Sequence, residues 1–164
     1  DEINLQIETV SKDNIISIFK KYNVPYEFDL LSVDIDSFDY WVTREILTQY
    51  SPRIVMVEVN VRFEPTESWR LKDDPNWDWN GTKWYGASPM AYKKMFNDAG
   101  YTPVYTHVDD LIAVRNDVLK ENGFSEPEWN YVYPHSNVSL YSTHNMGGTK
   151  ELVTELNLDE WEEV

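Results

Sequence analysis

With 29 acidic residues against 14 basic ones in a chain of 164, this protein carries a formal net charge of -15, and a surface of that sign repels phosphate backbones, which excludes nucleic acid as a favoured partner. The lack of cysteine removes disulfides, thiolate nucleophiles and cysteine-based metal sites. Hydrophobic residues at 41% and aromatic ones at 15% suffice for a packed core in one domain or a domain with a tail, and no apolar run reaches the roughly 18 residues of a membrane span.

The same charge favours cations or a basic protein partner, and it also keeps a chain in solution. No signal peptide is visible, and the compartment is left open, a soluble, cytoplasmic protein being slightly favoured. The sequons Asn80-Gly81-Thr82 and Asn137-Val138-Ser139 would equally fit surface loops of a secreted one. The first residue is Asp1, as expected of a processed product or a trimmed piece.

Along the chain, Ile3, Leu5 and Ile7 alternate with polar residues and predict a short strand. Ser11 can cap the helix that follows, where Ile15, Ile16, Phe19 and Tyr22 share a face, and Asn23 and Pro25 end it. The apolar run 28–36 turns acidic at its end, and a second helix is expected over 37–50 with Phe38, Trp41, Val42, Ile46 and Gln49 inward. Residues 53–60 are the clearest strand, β-branched almost throughout, as when helices cover both faces. A loop over 62–86, rich in Trp, Asp, Asn and Pro, follows. Ser88-Pro89 starts a helix that Gly100 stops. Tyr101 to Val108 and Leu111 to Val114 read as a hairpin turning at Asp109-Asp110, and Asn116 to Asn122 as a short helix closed by Gly123. This alternation predicts an α/β domain over 1–124 with a mainly parallel sheet, helices on both faces and a terminal antiparallel hairpin. Residues 125–164 form an aromatic, acidic extension in which Leu152, Val153, Leu156 and Trp161 suggest an amphipathic helix.

Ligands of open parallel sheets bind beyond the carboxyl ends of the strands. The two best strands end in Asp34 and Asp36 and in Glu58 and Asn60, with Asp39 close behind. Side chains two apart share a face and neighbouring strands lie about 4.8 Å apart, so these oxygens can converge on magnesium or calcium. Alternatively an acid, Asp36 first among them, caps the next helix, where the dipole welcomes a carboxylate. In the loop, the aromatic faces of Trp69, Trp77, Trp79, Trp84 and Tyr85 lie near Asp74, Asn76, Asp78 and Asn80. They can stack on a sugar ring, or fill the core beneath the loop. His107, His135 and His144 are too scattered to form a set, and only His107 falls near the strand ends.

Residues 29–42 (DLLSVDIDSFDYWV), 52–60 (PRIVMVEVN), 74–82 (DPNWDWNGT) and 85–88 (YGAS), in that order, resemble class I S-adenosylmethionine-dependent methyltransferase-like proteins of the FkbM-related kind, over about residues 1–120. The resemblance implies a partial Rossmann-like sheet closed by the hairpin. Asp34 and Asp36 would then be catalytic residues beside the reacting centre, with Glu58 and Asn60 on the next strand. In that fold the methyl donor rests on a glycine-rich turn after the first strand and on an acid ending the second. Here the six glycines include no G-x-G, and the first strand matches the family's third. S-adenosylmethionine is therefore expected as cofactor only if the missing half is supplied, either from upstream in a longer precursor or not at all in a truncated relative. The alternative is a non-catalytic binding or assembly protein using the 62–86 loop and the acidic tail. The strand near Ile3 to Ile7 would be its open edge, available to a homo- or hetero-oligomer.

Overall fold

The computed structural model describes residues 5–74, 76–77, 85–134 and 156–164. Helix α1 (Ile15–Lys21) precedes strand β1 (Leu30–Val33), helix α2 (Asp39–Gln49) and strand β2 (Ile54–Glu58). Strand β3 (Trp69–Leu71), helix α3 (Pro89–Asp98) and the strands β4 (Tyr101–His107) and β5 (Asp110–Arg115) come next. Helices α4 (Asn116–Glu121) and α5 (Trp129–Val132) and strand β6 (Trp161–Glu163) complete the order.

The main sheet has the order β1-β2-β5-β4. Only β1 and β2 run parallel; β5 is antiparallel to both its neighbours. The expected hairpin is present, but the mainly parallel sheet is not: two of the three pairings are antiparallel, because the chain's last long strand inserts beside β2 instead of adding at the edge. Its turn falls one residue earlier than expected, at Val108-Asp109, with His107 opposite Asp110. That register turns Leu111 and Ala113 toward the core, and a one-residue slip would expose both.

Leu31, Val55 and Ala113 form one cross-strand row, and Val33, Val57 and Leu111 the next. All six are buried against Val42 and Ile46 of α2 and Ala91, Tyr92 and Phe96 of α3 in one core. The opposite face is different. Leu30 is 55% exposed and Ile54 36%, and there Val118 and Leu119 of α4 line a cleft with Val104 and Val114. Helices on both faces were expected from the unbroken apolar run of β2; among the described residues the second face is largely uncovered.

The expected strand at Ile3 to Ile7 is also corrected. Residues 5–10 are not strand, and Leu5 and Ile7 are 74% and 93% exposed. Alternation alone does not make a strand when no neighbour accepts its hydrogen bonds. The edges of the sheet are β1 and β4 instead.

Capping follows the sequence in part. Ser11 gives its carbonyl, not its hydroxyl, to α1, accepting from the Ile15 N–H at 3.0 Å. Gln49, expected inward, is exposed, while Tyr40 and Thr43 take buried positions on α2. Ser88 does cap α3: its Oγ, fully buried, accepts from the Ala91 N–H at 3.2 Å and from the Trp69 N–H at 2.9 Å. Ser88→Ala orphans both donors in the interior. A loss of about 2 kcal/mol in chemical denaturation is expected, beyond the roughly 1 kcal/mol of an ordinary cap.

The tail is not the expected helix at its end. Trp161 lies on β6, which pairs with β3 in a small second sheet, over a cluster of Phe63, Leu71, Leu156 and Trp161. Arg70 and Glu162 face each other across it with Nε to Oε1 at 2.8 Å. Upstream, Val132 and Tyr133 join the main core. Leu152 and Val153 lie outside the described residues.

Candidate metal centre

Strand β1 stops at Val33, and the five residues that lead into α2, with the first residue of that helix, carry three aspartates. Asp39 is buried to 1% exposure. Its Oδ1 accepts from the Ile35 N–H at 2.8 Å and its Oδ2 from the Ser37 N–H at 2.9 Å. Burial pushes its carboxyl up, the backbone donors oppose this, and the charge of Asp34 adds to it. Both oxygens are thus spent inside the loop. Asp39, expected among the ligands, instead positions the loop, because a carboxylate at the start of a helix satisfies backbone N–H groups that otherwise have no partner.

That loop holds Asp36 at φ 64°, a left-handed backbone conformation that aspartate tolerates better than most residues. Asp36 is not the cap it was expected to be; Phe38 occupies that position on α2. With Asp39 tying down Ile35 and Ser37, Asp34 and Asp36 are left exposed. One carboxylate oxygen from each, together with one from Glu58 at the end of β2, lie within 4.8 Å of one another.

Glu58 is the unusual member. Its Oε2 is buried and has no hydrogen-bond partner. Burial, and then the charges of Asp39, Asp34, Asp109 and Asp36, push its carboxyl up to about 8. The Tyr92 hydroxyl is likewise fully buried and without a partner. Burial first, and then the charges of Asp39 and Glu58, raise its pKa. Orphaned polar atoms of this kind are rare in interiors and call for a partner such as water or an ion.

Two further acids reach the site. Since β5 runs antiparallel to β2, it begins where β2 ends, and Asp110 stands opposite Glu58. The carbonyl of Asp109 accepts from the Val59 N–H at 2.7 Å. The Asp110 carboxyl is raised by burial and by Asp109 and Asp34, and His107 opposes this. Sequence reasoning took Asp109 and Asp110 as turn residues only. Antiparallel pairing of the hairpin with β2 was the signal that would have placed them here. Val108 between them and His107 has φ 59° and is 43% exposed, a strained conformation for a β-branched residue.

The remaining expected site residues divide. Asn60 is buried and committed to structure: its Nδ2 donates to the Tyr85 carbonyl at 3.2 Å and its Oδ1 accepts from the Arg62 N–H at 3.2 Å. It braces the exit of β2 and is corrected from ligand to corner residue. Tyr85 lies beneath Arg62, 5.9 Å from guanidinium to ring. Its hydroxyl is pushed up to about 12 by burial and then by Glu58, which brings it near the acids. Trp77 is elsewhere, packed edge-on to Phe38 at 5.6 Å with its Nε1 donating to Glu160 at 3.2 Å. Trp69 sits on β3 beside the small cluster. Trp79, Trp84, His135 and His144 lie outside the described residues.

The arrangement suits a hard divalent cation: carboxylate oxygens only, from two exposed aspartates and one half-buried glutamate. No helix of the described residues is long and apolar enough to cross a membrane. No protein family, no curated protein and no solved structure matches this chain.

Proposed function

We propose that the chain is a methyltransferase-like α/β domain of partial Rossmann-like topology whose acidic strand ends hold one divalent cation. The observation that carries the cation is Glu58, whose Oε2 is buried and unpartnered and whose carboxylate places an oxygen within 4.8 Å of oxygens on Asp34 and Asp36. Asp34 and Asp36 would take the outer positions and Glu58 the inner one. Asp39 holds the loop that presents the first two. A divalent cation there supplies Lewis acidity that lowers the pKa of a coordinated hydroxyl or water. The methyltransferase-like reading is supported by the resemblance of four segments, in order, and by the closing hairpin, with β5 lying between β2 and β4. Since the 164 residues contain no G-x-G, donor binding needs a glycine-rich segment supplied from elsewhere.

Titration calorimetry tests both parts. Magnesium or calcium chloride should bind wild type at one site and leave Asp34→Asn silent, and S-adenosylmethionine should produce no heat with this chain alone. Silence toward both cations sinks the metal site. Heat from S-adenosylmethionine alone overturns the incomplete-catalyst reading. A second reading, a non-catalytic assembly protein, is favoured by the open β1 edge and the exposed Leu30 and Ile54 beside it; donor binding to a form of the protein carrying a glycine-rich half would exclude it.

A further inference from the structure

Beside the 34–39 loop lies a cleft of about 520 Å3 between the segment before α1 and the middle of the aromatic loop, at Asp73 and Trp77. This is within the range of small-molecule sites, about 300–1,000 Å3. Phe38 and Trp77 line it, their rings perpendicular at 86°. The Trp77 indole is fixed by its bond to Glu160. Around them stand the hydroxyls of Thr9, Ser11 and Ser37, and those of Thr9 and Ser11 make no hydrogen bond among the described residues. Lys12 bridges Asp73 at 2.9 Å and Asp13 at 3.2 Å, so the rim carries two carboxylates against one ammonium.

We propose that this cleft binds a neutral sugar ring. Two perpendicular aromatic rings form a corner, not the parallel slot that grips a planar base, and one indole face suits the apolar C–H face of a pyranose. Paired carboxylates and free hydroxyls accept from and donate to the hydroxyls on the ring's edge. The excess negative charge disfavours phosphorylated and carboxylated ligands. Ile35 and Ser37, which line the cleft, belong to the loop that presents Asp34 and Asp36, so a sugar here would lie next to the acids. The proposal does not depend on the metal reading, and its test is run in EDTA so that either can fail alone.

Saturation-transfer NMR with the methyl glycosides of glucose, galactose and mannose should show binding of at least one at millimolar concentration. Trp77→Ala should weaken it tenfold or more and Trp77→Phe should restore most of it, with thermal melts confirming that both variants fold. Asp73→Ala, at the exposed rim, should weaken it at least threefold, and stands as the deciding variant if Trp77→Ala does not fold. No glycoside binding to wild type, binding indifferent to Trp77 and Asp73, or adenosine binding in preference to every glycoside would each overturn the assignment.

Discussion

Magnesium or calcium at about a hundred times its dissociation constant should raise the melting temperature of wild type by about 5–10 °C, from roughly 2.7 kcal/mol of linkage and about 2–4 °C per kcal/mol in a chain of this size. The gain arises because the unfolded chain does not hold Asp34, Asp36 and Glu58 together, whereas the fold gathers their oxygens within 4.8 Å. Bringing those carboxylates so close costs free energy without a counter-ion, and the cation removes that cost as well as adding its own bonds. Asp34→Asn removes one ligand and one charge at an exposed position. It should therefore fold normally and lose the cation response. Differential scanning calorimetry with and without EDTA gives both curves, and equal cation shifts in wild type and variant would refute the site.

Glu58→Gln should stabilise the cation-free protein at pH 8 and flatten its pH dependence. An unfolded glutamate loses its proton near its ordinary value of 4.5, whereas burial holds the folded Glu58 protonated up to about 8. Between those limits the unfolded chain binds fewer protons than the folded one, so stability falls as pH rises. The penalty is absent below 4.5, grows through the window and is complete above 8. It amounts to about 3 kcal/mol once relaxation around a partly solvated group is allowed for. Glutamine keeps the shape without the charge, so urea unfolding at pH 5, 6.5 and 8 should separate the variant from wild type progressively. With cation added the order reverses, because wild type gains a ligand that glutamine weakens. Parallel pH profiles in EDTA would show that the Glu58 carboxyl is not held protonated.

Much of the sheet was legible. Strands β1 and β2 announce themselves through β-branched apolar residues, and α3 through Ser88-Pro89 at one end and Gly100 at the other. The acids Asp34, Asp36 and Glu58 were visible because they end strands, and strand ends in such sheets are where ligands collect. The small sheet was not legible. Arg70 and Glu162 meet across 92 positions of chain, and no local pattern specifies so distant a partner. The alternation at Leu5 and Ile7 was legible but misleading, since a strand needs a neighbour that those residues do not find.

What the sequence by itself determined is local: where strands and helices start and stop, and that three carboxylates stand at adjacent strand ends. These follow from side-chain period, caps and turn chemistry, all set within a few residues. The tertiary structure alone decided which acid does what. Asp39 and Asp36 are three residues apart in one acidic loop, yet one is buried on two backbone donors and the other is exposed. Glu58 owes its buried, unpartnered oxygen to its place at the end of β2, where β5 lays Asp110 opposite it. A carboxylate's character depends on its solvent exposure and its neighbours, and both are properties of the assembled fold.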